Sequence, residues 1–193
     1  MILPVIKYGD PILRKKGARI EHVTPAIQQL IADMCETMEA SNGVGLAAQQ
    51  VAHALQLMVV DVRDVKDRPS TLFLNGVEAD PREHMPLALL NPEIAPVGPP
   101  VEGAEGCLSF PEIYADVKRP ESVEVKALDK TGQPLAFRCG GLLSRVIQHE
   151  LDHLNGILFI DRMALEDRLD LKPKLDELPP ETNAQLAQKV KRP

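Results

Sequence analysis

The chain has 193 residues, a formal net charge of −6 and 44% hydrophobic residues, with 3% aromatic residues and no Trp. This length and apolar fraction suit one soluble globular domain with a largely aliphatic core. The acidic balance argues against specific nucleic-acid binding, because no broad positive field attracts phosphates. No apolar run is long enough for a membrane helix, and three Cys do not form a paired disulfide framework. We therefore expect a cytoplasmic protein that does not enter membranes.

The first predicted helix spans residues 24–41. Thr24 is a suitable N-cap, Pro25 suits the first helical position, and the apolar side chains that follow recur at helical spacing. Asn42-Gly43 favours an end at this point, because both residues tolerate positive φ.

The middle of the chain is dominated by prolines and charges. Residues 57–62 form a short apolar run that predicts a buried strand, and another strand is expected at residues 88–90. Between them, residues 63–86 are polar and contain three prolines, which predicts a long loop or insertion with at most a short strand at Leu72–Leu74. Residues 95–106 contain three prolines and three glycines, so we expect a second loop there.

The next predicted elements are a hairpin and a second helix. Apolar and polar residues alternate over residues 123–127, and a turn at residues 129–132 leads to a hairpin partner at residues 135–138. The second helix is expected from about residue 142 to residue 155. Strands and helices do not alternate regularly, and this order indicates an α+β fold rather than a doubly wound sheet.

The chain divides into two parts in this interpretation. Residues 1–165 are expected to form the catalytic domain. Residues 166–193 form a C-terminal extension that is acidic at first and interrupted by prolines, with a short terminal helix at residues 183–191.

The second helix carries the motif His-Glu-Leu-Asp-His at residues 149–153. Two His side chains at i and i+4 lie on one side of a helix and can share a metal ion, and Glu150 stands beside them as a candidate base. Leu142 and Val146 fall on the same helical stripe as both His residues. We therefore expect the motif to face the interior, beside an apolar wall.

The residues alone leave the third metal ligand open. Phe159 occupies the position at which one extended form of the motif has a third His, so that form is disfavoured. Cys35 lies on the apolar stripe of the first helix and is expected to pack there. The remaining candidates are a downstream carboxylate or another cysteine: Glu166, Glu177, Cys107 and Cys139. A zinc endopeptidase and a structural metal module also stay open at this point.

Small residues mark a third segment of interest. Gly43–Gln50 contains two glycines and two alanines, which let another group approach the backbone closely. The segment lacks the ending of a phosphate-binding loop.

Together, three stretches resemble the motifs of the peptide deformylase family, which are G-x-G-φ-A-A-x-Q, E-G-C-φ-S and Q-H-E-x-D-H, where φ is apolar. This chain has Gly43–Gln50, Glu105–Ser109 and Gln148–His153 in that order, and the resemblance runs from about Leu3 to about Met163. The fold expected is α+β, with mixed or antiparallel sheets packed around a central metal-binding helix that carries His-Glu-Leu-Asp-His.

The resemblance implies a function for most of these residues. The chain would hydrolyse the N-formyl group of formylmethionine and release formate, with a metal-bound water as nucleophile and Glu150 as general base and acid. Fe(II) is the metal implied first, with zinc, nickel or cobalt as alternatives. The implied metal ligands are Cys107, His149 and His153. The oxyanion would be stabilised by the side-chain amide of Gln50 and the N–H of Leu108.

The resemblance also implies how the substrate is bound. The backbone of Gly45 would hydrogen-bond the peptide, and Val44, Leu142 and Val146 would line the methionine pocket, with Arg145 near its mouth. Glu105 and Asp152 are candidate acceptors for the outer N–H groups of the ligating imidazoles, and a surface or local salt bridge is the alternative role for both.

The implied partners are N-formylmethionyl peptides and nascent chains. A weak contact with the ribosome is implied for the C-terminal tail, where Lys189, Lys191 and Arg192 cluster. Residues 63–86 are longer than the connection usual in the family.

Overall fold

The computed structural model describes residues 1–178, which fold into three helices and one antiparallel sheet of seven strands. The α+β class expected from the sequence is confirmed. The helices are α1 Pro25–Ala40, α2 Gly141–Leu154 and α3 Leu165–Glu177. The strands are β1 Gly45–Ala47, β2 Leu57–Val60, β3 Ser70–Leu74, β4 Val77–Ala79, β5 Leu87–Cys107, β6 Phe110–Leu128 and β7 Pro134–Gly140.

The start of α1 follows its sequence signals. The Thr24 hydroxyl accepts a hydrogen bond from the N–H of Ile27 at 3.3 Å, and Pro25 occupies the first turn. The apolar face of α1 is buried against β2 and β5, with Met34 fully inaccessible to solvent. The helix predicted over residues 24–41 is confirmed to within one residue at each end.

The strands lie in the order β1-β2-β5-β6-β7-β3-β4, and each pairs antiparallel with its neighbours. β1 is therefore an edge strand, whose three residues pair with β2 from Gly45↔Val60 to Ala47↔Met58. Gly45, the first residue of β1, lines the cleft described below. β5 and β6 form the longest hairpin of the sheet, and β5 ends at Cys107.

The prediction of a loop over residues 95–106 is wrong, because these residues belong to β5. β2 pairs only with Leu87–Leu90 of β5, so the rest of that edge has no strand beside it among residues 1–178. A proline, which has no N–H to donate, is tolerated at such an edge and favours the extended backbone. The pairing register with β6 also shifts between Val97 and Pro100, so the irregularity of the ladder coincides with the Pro99-Pro100 pair.

The insertion over residues 63–86 is only partly a loop. The short strand predicted at Leu72–Leu74 is confirmed within β3, which forms a hairpin with β4 and pairs on its other side with β7. Asn75 and Gly76 connect the two strands with φ of 51° and 78°, as a tight hairpin turn with positive φ at both positions requires. The insertion therefore extends the sheet at the end opposite β1.

Helix α2 lies across the sheet and contains the His-Glu-Leu-Asp-His motif. Its apolar side chains join those of β2, β6 and β7 in one buried cluster, with Leu143 and Ile147 fully inaccessible. The insertion fixes the start of α2. The carbonyl of Pro69 accepts the N–H of Leu142 at 3.1 Å, and the Ser70 hydroxyl accepts the N–H of Leu143 at 3.0 Å.

The C-terminal extension continues as helix α3. The prediction that prolines interrupt the extension is wrong for one of them, Pro173, because α3 runs through this residue to Glu177. Leu175 of α3 packs into a third buried cluster with Phe159. The terminal helix predicted at 183–191 lies outside the described residues. The assignment of residues 1–165 to a catalytic domain stays a prediction. No helix within residues 1–178 is long and apolar enough to cross a lipid bilayer.

Candidate metal centre and cleft

The structure brings Cys107, His149 and His153 together at the junction of β5 and α2. One ligand atom from each residue lies within 4.8 Å of the corresponding atoms of the other two. Sγ of Cys107 is 3.2 Å from Nε2 of His153, and the two imidazole rings are 5.0 Å apart, one turn of helix from each other. Of the four sequence candidates for a third ligand, only Cys107 belongs to this group.

The donor set fits a divalent transition metal. One thiol and two imidazoles suit Fe(II), zinc, cobalt or nickel. Both imidazoles are buried and the thiol is half-buried. Nδ1 of His153, in the cluster, and Oε2 of Glu150, beside it, have no hydrogen-bond partner among the described residues. Burial lowers the pKa of His153 well below its ordinary value, so its imidazole is neutral, as a metal ligand must be.

A buried carboxylate orients His149. Oε2 of Glu105 lies 2.9 Å from Nδ1 of His149, and Arg119 donates to both oxygens of Glu105 at 2.6 and 2.9 Å. Burial raises the pKa of Glu105, but hydrogen bonds from His149 and Arg119 outweigh it and hold this pKa at about 2. Glu105 is therefore charged and accepts a hydrogen bond from the N–H at Nδ1, which leaves Nε2 of His149 to bind a metal.

Asp152 is linked to the metal cluster through Arg119 and Glu105. Its carboxylate accepts from Arg119 at 2.8 Å and from Arg162 at 2.7 Å. Asp152 therefore holds Arg119, which in turn holds Glu105. The sequence indicated both carboxylates as acceptors for an imidazole N–H. In the structure Glu105 contacts the imidazole of His149, whereas Asp152 accepts from Arg119 and Arg162.

Glu150 faces the cleft from α2 and is 4% exposed. Burial raises its pKa to about 7, which is suitable for a group that takes and returns a proton near neutral pH. Gly45 lies directly against it. A Cβ at residue 45 would overlap Oε1 of Glu150 and lie 2.7 Å from Cγ1 of Val146, so any larger residue there would displace Glu150 and Val146 from their positions.

Gln50 has a fixed amide orientation. Its Oε1 accepts the N–H of Ala47 at 2.9 Å, which turns Nε2 toward Ser109 Oγ at 3.2 Å and Cys107 Sγ at 3.5 Å. Nε2 therefore donates to one member of the metal cluster, Cys107, and to Ser109 beside it. Leu108 follows Cys107 directly, and its carbonyl accepts from Nζ of Lys7 at 2.7 Å.

A cleft of about 420 Å³ opens beside the cluster. Its lining includes His149, Glu150, Gln50, Cys107 and Leu108 and all four residues predicted to bind substrate, which are Val44, Gly45, Leu142 and Val146. His153 is not part of this lining and is buried, with 1% of its surface exposed. The structure thus groups the predicted site residues around one cavity.

The predicted place of Arg145 near the pocket mouth needs refinement. Arg145 lines the cleft, but its guanidinium donates to Glu105 at 2.9 Å and to the carbonyls of Val117 and Val101 at 2.7 and 2.8 Å. The side chain is therefore fixed in the cleft wall.

Several cleft residues carry no sequence signal. Lys7, Arg68 and Tyr114 line the cavity, yet they come from three distant segments and belong to no motif. Of these, only Tyr114 lies close in sequence to a motif, five residues after Ser109. The path of the folded backbone brings these three residues to the same cavity.

Comparison with known proteins agrees with this geometry. The family model described as Polypeptide deformylase matches residues 2–169. A peptide deformylase of Methylacidiphilum infernorum is 46% identical over 178 residues, which cover 92% of this chain and 93% of that protein. One of Opitutus terrae is 45% identical over 172 residues, which cover 87% and 88% of the two chains.

Solved structures give the same result. A Synechococcus elongatus peptide deformylase in complex with actinonin superposes with a TM-score of 0.75 at 40% identity and covers 91% of this chain and 85% of its own. A peptide deformylase from Legionella pneumophila superposes with a TM-score of 0.78 at 34% identity, and the match covers both chains completely.

Proposed function

Because the chain belongs to the polypeptide deformylase family and is a metal-dependent enzyme that removes the N-formyl group from peptides, we propose that Cys107, His149 and His153 hold its metal. The observation that carries this proposal is the convergence of their three ligand atoms beside buried Glu150. A metal bound there supplies a Lewis acid and lowers the pKa of a bound water toward neutrality. We propose Fe(II) as that metal, with zinc, nickel or cobalt able to replace it. Family membership removes the endopeptidase and structural-module alternatives.

Glu150 moves the proton in this proposal. It takes a proton from the attacking water and later gives it to the amine that leaves. Its pKa of about 7 supports both roles, because the carboxyl group can be either protonated or ionised near neutral pH. Gly45 keeps the space beside Oε1 of Glu150 free of any side chain.

Gln50 and Leu108 stabilise the charge that develops on the formyl oxygen. The hydrogen bond from Ala47 to Oε1 supports this role for Gln50, because it presents the amide N–H groups to the cleft. The Leu108 N–H is the second donor, on the residue next to the Cys107 ligand. A preorganised donor of this kind lowers the barrier by about 3–4 kcal/mol.

The methionine side chain enters the apolar part of the cleft beside Val44, Leu142 and Val146. The backbone of Gly45, on the edge strand β1, hydrogen-bonds the peptide, which is a recurrent way for a sheet edge to bind an extended chain. The substrates are N-formylmethionyl peptides at the start of nascent chains.

The remaining parts of the proposal concern the whole chain. Residues 1–165 form the catalytic domain, which acts in the cytoplasm with α2 as its central metal-binding helix. The tail that carries Lys189, Lys191 and Arg192 contacts the ribosome weakly. Removal of residues 183–193 should reduce co-sedimentation with ribosomes at low salt without changing turnover of a short formyl peptide. Unchanged co-sedimentation would contradict the contact.

The central test combines metal analysis with formate release. Protein purified without oxygen and loaded with Fe(II) should bind about one metal per chain and release formate from formyl-Met-Ala-Ser. Cys107→Ser and His153→Ala should lose metal and activity together. Full metal binding by both variants would exclude the proposed ligand set.

A further inference from the structure

The insertion contributes one cation to the cleft. Arg68 lines the cavity that also contains Leu142 and Glu150, and its side chain is exposed. Arg68 makes no hydrogen bond or ion pair with any of residues 1–178. The other two cations of the cleft have protein partners, because Arg145 is bound to Glu105 and Lys7 donates to the Leu108 carbonyl.

The backbone position of Arg68 is fixed although its side chain is exposed. Pro69, the next residue, accepts the N–H of Leu142, and Ser70 accepts the N–H of Leu143. These two bonds attach the chain to the first turn of α2. Arg68 is therefore anchored beside Leu142, at the wall of the proposed methionine pocket.

Other basic residues of the insertion do not reach this cleft. Arg63, Lys66 and Arg82 line a separate groove within the insertion, beside Ser70 and Thr71 of β3. Arg63 is paired with Asp61, and Arg82 is paired with Asp80. Arg68 is thus the one basic side chain of residues 63–86 that lines the cleft.

The geometry of an extended peptide determines which substrate residue meets Arg68. Alternate side chains of an extended chain point to the same side and are separated by about 6.6 Å. When the methionine side chain enters the pocket beside Leu142, the side chain of the third residue points the same way, toward the mouth of that pocket. The side chain of the second residue points away from it.

We propose that Arg68 selects formylated peptides with a carboxylate side chain on the third residue. The inference depends on the proposed function, because it assumes that the methionine side chain occupies the pocket beside Leu142. The carboxylate of Asp or Glu meets an exposed guanidinium that has no hydrogen-bond or ion-pair partner among residues 1–178. An exposed pair of this kind changes affinity by about two- to fivefold, and salt weakens it.

The experiment compares kcat/KM for formyl-Met-Ala-Glu-amide and formyl-Met-Ala-Lys-amide at low ionic strength. The C-terminal amides remove a second carboxylate that would confuse the comparison. The wild-type enzyme should prefer the Glu peptide. Arg68→Ala should reduce the Glu-to-Lys ratio by about two- to fivefold, and Arg68→Glu should lower it further and favour the Lys peptide.

Arg63→Ala is the matched control, because Arg63 is an exposed insertion arginine outside the cleft, and its ratio should equal that of the wild type. Glu112, an exposed carboxylate that lines the cleft in every variant, affects this ratio equally in each of them, so its effect cancels when the ratio of a variant is compared with that of the wild type. A ratio that Arg68→Ala leaves unchanged would overturn the proposal. The proposal would also be overturned if Arg68→Ala changed this ratio more for peptides that carry Glu or Lys at the second residue than for peptides that carry them at the third.

A neutral peptide separates this proposal from the proposed function. If the wild-type enzyme does not release formate from formyl-Met-Ala-Ala-amide, the proposed function fails. If it does so and the ratio does not depend on Arg68, the Arg68 proposal alone fails. A ratio that falls in Arg68→Ala and returns in Arg68→Lys supports charge recognition at this position.

Discussion

Glu105 and His149 are joined by a 2.9 Å contact between a carboxylate oxygen and Nδ1, deep between β5 and α2. This contact selects the tautomer that leaves Nε2 available, so we expect Glu105→Gln to weaken metal binding by about 10- to 100-fold. The variant also leaves the charge of buried Arg119 partly uncompensated, which should lower the free energy of unfolding by about 3–5 kcal/mol.

Two measurements check this prediction. Competition with a chelator gives the metal affinity, and urea unfolding of the metal-free protein gives the stability. Glu102→Gln is the control, because Glu102 lies on the same strand but is exposed and pairs with Lys118 only at 3.7 Å. Wild-type metal affinity in Glu105→Gln would show that His149 does not need this partner.

Glu150→Gln should separate proton transfer from metal binding. The amide has nearly the shape of the carboxylate but cannot accept the proton, so kcat should fall at least about 100-fold. Metal content should stay at the wild-type level, because Glu150 is not among the proposed ligands. Loss of the metal, or turnover near the wild-type rate, would contradict the role of Glu150.

The iron-loaded enzyme should lose activity in air. A Cys thiolate bound to Fe(II) beside an open cleft is exposed to oxidation, and Cys107 lines that cleft. Protein loaded with nickel or cobalt should keep its activity for longer under the same conditions. Mass spectrometry of the peptide that contains Cys107 should show added oxygen only in the iron form. Equal lifetimes for all three metals would contradict an accessible iron–thiolate centre.

Formyl and acetyl groups should be strongly discriminated. The backbone of Gly45 lies against Oε1 of Glu150, so little room remains beside the reacting carbon for an acetyl methyl group. A displacement of about 1 Å costs about 100-fold in rate, and we expect at least this ratio of kcat/KM between formyl-Met and acetyl-Met peptides. Comparable rates for these two peptides would contradict the crowding.

The methionine pocket should discriminate only weakly between apolar side chains. Formyl-norleucine should be turned over well, since exchanging one apolar group in such a pocket changes the barrier by only about 1–3 kcal/mol. Formyl-aspartate should be a poor substrate, because its carboxylate would be buried between Val44, Leu142 and Val146, whose apolar side chains cannot donate a hydrogen bond to it. Steady-state kcat/KM for the three peptides checks the prediction, and rapid turnover of formyl-aspartate would contradict an apolar pocket.

Cys139 should resist alkylation in the native protein. It is 1% exposed on β7, and burial raises the pKa of its thiol to about 12, so little thiolate exists at pH 8. Iodoacetamide should label Cys139 only after unfolding in urea, and peptide mapping identifies the site. Labelling of Cys139 in the native protein would show that β7 opens readily.

The sequence predicted the elements whose signals are local. The Thr24 cap and the apolar periodicity defined α1, and the spacing of His149 and His153 indicated a shared metal on α2. Cys107 was harder, because a ligand supplied by another element leaves no periodic signal. It was one of several candidates until the resemblance of Glu105–Ser109 to a family motif selected it.

Other features depended on contacts that a sequence does not display. The prolines of residues 95–106 suggested a loop. They are compatible with a strand only because one edge of β5 has no neighbouring strand there, and the sequence does not show which edge that is. Asn75-Gly76 was a usable hairpin signal that the charged surroundings obscured. Lys7 and Arg68 reach the cleft through the path of the backbone, and nothing in their own sequence neighbourhoods indicates that position.

The place of β1 at the edge of the sheet has a consequence for the range of proteins that one enzyme can process. Peptide N–H and C=O groups are the same in every polypeptide, so a substrate bound along β1 as proposed above would be held by features that do not vary from one gene product to the next. Residues after the first then contribute only small preferences. A single active site can therefore serve newly made proteins of unrelated sequence, and the requirement for a formylated first residue confines the reaction to their beginnings.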